Sequence, residues 1–165
     1  LNCRRYRLTL ALFNGQQLIK VEVIMKVNLN FTKLILESIR SNESQFFEVM
    51  SIHNDICNSN EDVKQLIFQL QIFLDEGIIS RYDGRSVASL YDIGIVDNEI
   101  EPISFTDIRL RLTSKGQNYA NALQNSDIFS QLKKRIKDAP INTICNIGPK
   151  LLENFAKKKL EELLK

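Results

Sequence analysis

The stretch that most constrains this chain is residues 59–82, SNEDVKQLIFQLQIFLDEGIISRY. Ser59 followed three residues later by Asp62 predicts a capped helix start, in which the side chains take up backbone N–H groups left unpaired in the first turn. Val63, Leu66, Ile67, Leu70, Phe73 and Leu74 then recur at helical spacing, so one side of the helix must be covered by other parts of the chain. Gly77 supplies a left-handed stop. Ile78-Ile79-Ser80-Arg81-Tyr82 has the β-branched and aromatic content of a strand. Helix, glycine and strand in that order is how the third helix of a winged helix-turn-helix enters its wing.

The rest of the chain supplies what such a helix would pack against. Asn30 opens a helix to about Arg40, with Phe31, Leu34, Ile35, Ser38 and Ile39 facing inward. Ser41-Asn42-Glu43-Ser44 reads as a loop, and Phe46 to Ile52 as a short strand whose period also allows a helix. His53-Asn54-Asp55 is turn-like. Past Tyr82, Asp83-Gly84 is a turn, Val87 to Tyr91 a strand, and Asp97-Asn98-Glu99 an acidic loop. Ile108-Arg109-Leu110-Arg111-Leu112 alternates apolar and charged residues, a strand with its arginines outward. Thr113 caps a helix through about Leu123 that buries Tyr119, Ala122 and Leu123. Another helix opens at Ser126-Asp127 with Ile128, Phe129, Leu132 and Ile136 on one face, and Pro140 comes soon after it. Ile141 to Ile147 reads as a short helix, Gly148-Pro149 as a break or kink, and 149–164 as a last helix starting on Pro149. The fold class is therefore α+β: a winged helix-turn-helix-like domain over 26–124 with a C-terminal helical extension over 126–165.

Residues 1–24 differ in character from the remainder of the chain. Two alternating apolar runs flank Asn14-Gly15, a hairpin pattern. Arg4-Arg5 ahead of an apolar stretch suggests targeting, but Asn14-Gly15 interrupts that stretch and no small-residue cleavage site comes after it. Val21-Glu22-Val23-Ile24-Met25 can be encoded GTG-GAG-GTA-ATT-ATG, a ribosome-binding sequence just before an ATG. The expectation is a leader translated from upstream DNA, with the natural start at Met25; other codons at 21–24 would remove it.

Composition narrows the function classes. With 44% apolar and 25% charged residues, the 165-residue chain is of ordinary globular type, and no apolar run approaches the roughly 20 residues that span a bilayer. Cys3, Cys57 and Cys145 lie far apart, which suits a reducing cytoplasm better than secretion. The net charge of +2 conceals a division. Residues 25–112 carry eight basic groups against fourteen acids, whereas 113–165 carry ten against five.

Two stretches together resemble a family of uncharacterised bacterial and phage proteins, often found in prophages. The first is Phe68-Gln69-Leu70-Gln71-Ile72-Phe73-Leu74-Asp75-Glu76-Gly77-Ile78-Ile79, similar to that family's aromatic-His-apolar run ending in Gly-Leu-Ile. The second is Leu112-Thr113-Ser114-Lys115-Gly116-Gln117-Asn118-Tyr119, with Phe129 and the Lys-Leu-rich last helix, similar to a Leu-Thr-x-x-Gly-His stretch, a later Trp and a C-terminal helix. Gln69 and Gln117 stand where the family has histidines, so no role of those histidines carries over. The resemblance covers most of 26–165 and implies a winged-helix-like fold and a mobile-element origin. It implies no activity.

The chemistry-bearing residues point away from catalysis. His53 and Cys57 lie four apart, yet no further ligands exist for a zinc site and only Asp55 is near in sequence as an orienting group. No Walker lysine loop, G-x-G-x-x-G or G-x-S-x-G occurs. No enzyme, cofactor or metal is expected. In a DNA-binding winged helix, the 60–76 helix would enter the major groove, with Lys64, Gln65 and Gln69 toward base edges and Arg81, Arg85, Arg109 and Arg111 on the wing. That helix carries Lys64 against Glu61, Asp62, Asp75 and Glu76, a field that repels phosphate. Phe68 and Ile72, on the side away from the apolar stripe, suit either an intrachain cover or an exposed protein interface. Lys133, Lys134, Arg135 and Lys137, with Lys157, Lys158 and Lys159, either complement helix ends or form one basic patch. The reading is a non-enzymatic phage-type regulatory or adaptor module with a protein partner or a homodimer; the alternative is a DNA-binding transcriptional regulator.

Overall fold

The computed structural model describes residues 27–97, 103–135 and 141–164. The hairpin pattern of 1–24, Asn98, Glu99, Ile136 and Lys137 therefore lie outside the described residues. The fold is mostly helical α+β, with small two-stranded sheets and a long C-terminal helix.

Helix α1 spans Leu29–Ser41 and its cap is Asn28 rather than Asn30: Asn28 Oδ1 accepts the N–H groups of Asn30 and Phe31 at 3.1 and 3.2 Å. Phe31, Ile35, Leu36, Ser38 and Ile39 are buried, while Leu34 is exposed. The 46–52 stretch is not a strand. Only Phe47 makes a bridge, exchanging both backbone hydrogen bonds with Leu110, and helix α2 (Val49–Ile56) starts two residues later. Val49 and Ile52, one turn apart, go into the core, and helical spacing wins over β-branched content. Ser38 Oγ donates to Asp55 at 2.7 Å and ties α2 to α1.

Helix α3 (Asn60–Asp75) starts as its sequence predicts. Ser59 Oγ accepts the Asp62 N–H at 3.2 Å, and the Asp62 carboxylate accepts from Asn58 N–H and Ser59 Oγ–H. These bonds, first that from Asn58, hold the Asp62 carboxyl below the usual carboxylate range. Gly77, at φ +62°, ends the helix, and Ile78 N–H bonds back to the Phe73 carbonyl. Strand β1 (Ile79–Arg81) runs antiparallel to β4 (Leu110–Leu112), with Ile79 opposite Leu112 and Arg81 opposite Leu110. Because Leu110 also bridges Phe47, β4 lies between the Phe47 segment and β1.

Between β1 and β4, the predicted strand at Val87–Tyr91 is absent. Asp92 Oδ2 accepts the N–H groups of Ala88 and Ser89 and the Ser89 hydroxyl, and the chain turns into a 3₁₀ segment at Tyr91–Ile93. Side-chain bonding to the local backbone competes successfully with a ladder here. Strands β2 (Ile95–Val96) and β3 (Ser104–Phe105) then pair antiparallel.

Helix α4 (Ser114–Gln124) is capped by Thr113, and α5 (Ser126–Arg135) by Asn125 rather than Ser126. Helix α6 (Ile141–Leu163) runs unbroken through Pro149, against the expected break. A mid-helix proline costs about 3 kcal/mol, and packing on both sides offsets it. A Cβ at Gly148 would lie 3.4 Å from Ala122 and 3.6 Å from Leu132, so α6 is held against α4 and α5 at that point. One core cluster runs from Phe31 and Ile35 through Leu66, Leu70, Phe73, Ile79 and Leu110 to Tyr119, Leu132, Ile144 and Cys145.

Candidate functional site

Helix α3 is embedded over a wide arc. Leu66, Gln69, Leu70, Ile72 and Phe73 are buried, with Val63, Ile67 and Leu74 half-buried on the other shoulder. Burial decides two points that the sequence left as alternatives. Ile72 is buried, so it is no part of an exposed apolar patch with Phe68, which is itself half-buried. Gln69 is fully buried and does not face a groove: Thr32 Oγ1 of α1 lies 3.0 Å from its Oε1. The same hydroxyl lies 2.9 Å from the Asn28 carbonyl, and its single proton serves one of the two. Gln69 Nε2 has no hydrogen-bond partner among the described residues.

Gln69→Leu therefore removes an unpaired buried amide while Thr32 keeps its bond to Asn28. We expect an unfolding free energy from urea titration within about 1 kcal/mol of wild type, or above it. A loss beyond about 2 kcal/mol would show that the glutamine is paired and needed.

The outward side of α3 carries Glu61, Lys64 and Asp75, with Phe68 and Gln71 between them. Lys64 sits 3.6 Å from Glu61, and Gln65 is half-buried. The arginines divide. Arg81 is not available to phosphate: it grips Asp83 through Nε and Nη2 and donates Nη1 to the Asp92 carbonyl, with its side chain 17% exposed. Its hydrogen bonds hold the Asp83 carboxyl low. Arg85 is exposed and 3.4 Å from Asp83. Arg109 lies over the Tyr82 ring, 4.6 Å from its centroid, and Phe46 meets the same ring edge-on at 5.7 Å. Arg111, exposed on β4, alternates with buried Leu110 and Leu112 as predicted.

The basic residues of α5 and α6 are used differently from one another. Lys133 donates to Asn30 Oδ1 at 3.1 Å, and its ammonium and that of Lys33 flank the Phe129 ring at 5.5 and 4.8 Å. Lys134 is exposed, and Arg135 closes the helix backbone. Lys157 pairs with Glu153 at 2.6 Å, Lys159 lies 6.0 Å from the Phe155 ring, and Lys158 is exposed. Beyond Phe155 every described residue of α6 is exposed. Leu160, Leu163 and Leu164 are 58%, 79% and 79% exposed. Leu160 and Leu163 fall at helical spacing on one side of α6, and Leu164 lies beside them.

The two described thiols are held in their protonated, weakly nucleophilic form. Burial, then the Asp62 charge, pushes Cys57 up to about 11; burial, then Glu76, pushes Cys145 up to about 11. Burial likewise raises Tyr119, whose hydroxyl next to Cys145 has no partner in good hydrogen-bond geometry among the described residues. The His53 ring lies tilted against that of Phe105 at 5.0 Å, and among the described residues no three His, Cys, Asp or Glu side chains are placed to hold a metal. No described helix is long and apolar enough to cross a membrane.

The Leu-Thr-x-x-Gly stretch becomes a structural junction. Leu112 pairs with Ile79, and Thr113 N–H donates to the Ile78 carbonyl at 2.9 Å. Thr113 Oγ1 reaches the Gly77 carbonyl at 2.7 Å while accepting the Gly116 N–H at 3.0 Å. Lys115 closes the outside with a 2.9 Å ion pair to Glu76. Protein-family models, curated proteins and solved structures give no match to this chain.

Proposed function

We propose that this protein is a non-enzymatic regulatory or adaptor module of winged-helix-like build that works through protein contacts or self-association. Support for the build comes from the element order. Helix α1, the Phe47 bridge, α2, α3, β1 and β4 succeed one another, with β4 between the Phe47 segment and β1, and we read the described residues between β1 and β4 as a wing. The phage-type resemblance adds a mobile-element setting. The observation that carries the protein-contact reading is the leucine stripe left uncovered on α6, set against an α3 whose outer side is acidic. Apolar surface gathered on one helix side favours protein, whereas Glu61 and Asp75 repel a phosphate backbone.

DNA binding is the second reading, favoured by the exposure of Arg85, Arg109 and Arg111 on neighbouring parts of the chain. Its reader set is reduced by the burial of Gln69 and the pairing of Arg81. Anisotropy of a labelled 30-base-pair duplex separates the two. Our reading expects only weak, non-specific binding at 150 mM salt, with a dissociation constant above about 10 μM. A submicromolar, sequence-selective complex that disappears in Arg109→Glu and Arg111→Glu variants would overturn it.

A further inference from the structure

Resting on the protein-contact reading, we infer that the outer face of the β1–β4 sheet takes an extended acidic segment of a partner protein, with carboxylates at alternate positions. The register builds this face. Phe47, Ile79, Leu110 and Leu112 turn inward and are buried. Their strand neighbours therefore turn outward. Phe46 comes level with Arg111, and Tyr82 comes level with Arg109, whose carbonyl accepts the Tyr82 N–H at 3.1 Å. Phe46 is half-buried and Tyr82 exposed, and their rings meet edge-on at 5.7 Å from either side of β4. Arg109 lies over the Tyr82 ring at 4.6 Å. Arg109 and Arg111 are both exposed, and neither guanidinium has a hydrogen-bond or ion-pair partner among the described residues. Glu48, level with Arg109 by register, forms no ion pair with it. Arg81 and Arg85, by contrast, are both taken by Asp83.

Charge and spacing select the occupant. Two residues apart on one strand, Arg109 and Arg111 are rooted about 7 Å from each other. An extended segment repeats its same-side groups at that interval, so a Glu-x-Glu run laid along β4 gives each arginine a carboxylate. Arg109, held flat on a ring, keeps its N–H edge open for a bidentate pair. The ring pair beneath shields those charges from part of the solvent, which strengthens them. Nucleic acid fits this face less well. Arg109 already covers one side of Tyr82 and Phe46 meets the ring edge-on, so a base finds little to stack on. Residues 25–112 carry fourteen acids against eight basic groups, a field that a short carboxylate run tolerates better than a continuous polyanion does.

Anisotropy of a fluorescein-labelled decapeptide alternating glutamate and valine, titrated with the full chain at 50 mM salt, tests this. The expected dissociation constant is about 100 μM, rising at least threefold at 500 mM salt. Arg109→Ala and Arg111→Ala should each weaken binding at least threefold. Lys158→Ala, at an exposed lysine of α6, should leave it unchanged. The double variant Arg109→Glu, Arg111→Glu should lose this peptide and take its lysine–valine counterpart, a reversal that an unfolded chain would not give. No binding of the glutamate–valine peptide, binding indifferent to both alanine variants, no exchange of peptides in the double variant, or tighter binding of a labelled ten-base oligothymidylate at the same arginines would each overturn the inference. The protein-contact reading fails on a different result, the submicromolar sequence-selective duplex complex.

Discussion

Phe73→Ala should lower the stability of this protein by about 4 kcal/mol, moving the thermal midpoint down by roughly 10 °C or more. Phe73 is among the largest fully buried side chains. It sits on the inner face of α3, where its carbonyl also receives the Ile78 N–H that turns the chain from helix to strand. It belongs to one core cluster with residues of β1, β4 and α4, elements fixed by their own backbone bonds, so the space it leaves closes only in part. Urea unfolding should show a lower midpoint with the slope retained. A loss under about 1 kcal/mol would mean that α3 does not rest on this ring.

Gly116→Ala should cost about 3 kcal/mol for one added methyl group. Gly116 is inside the first turn of α4, where alanine would ordinarily favour a helix. Here the tertiary contact decides. A Cβ at this position would run into the Ile78 carbonyl oxygen, with the Ile78 carbonyl carbon at 3.1 Å and Leu112 Cδ2 at 3.2 Å. That carbonyl is held in place by Thr113 N–H and cannot swing away without loosening the cap of α4 and the end of β4 together. Calorimetry should find a thermal midpoint about 6–12 °C lower. An unchanged or higher midpoint would show that α4 does not lie against Ile78.

These two positions also show where a sequence speaks plainly. Ser59, Asp62, Gly77 and Thr113 act through bonds within a few residues, so local rules place α3, its stop and the start of α4. The Ile108–Leu112 alternation gives β4 its face. What fails are outcomes set at a distance or by competition. Gln69 reads as outward, yet it lies buried beside Thr32, 37 residues earlier in the chain. The Val87–Tyr91 strand loses to the Asp92 carboxylate, held low by the Ala88 and Ser89 amides it gathers. Pro149 does not end α6 because Gly148 is already packed on α4. Leu160, Leu163 and Leu164 share one side of α6 by spacing alone, but whether the domain covers them depends on where the helix leaves the body.

The most direct measurement is a residue-resolved amide spectrum of the full chain, recorded across addition of duplex DNA at 150 mM salt. The expected result is that duplex leaves Lys64, Gln65 and Phe68 of α3 unmoved. Shifts confined to α3 and the arginines at 109 and 111, saturating at submicromolar duplex, would contradict a protein-contact role for this chain.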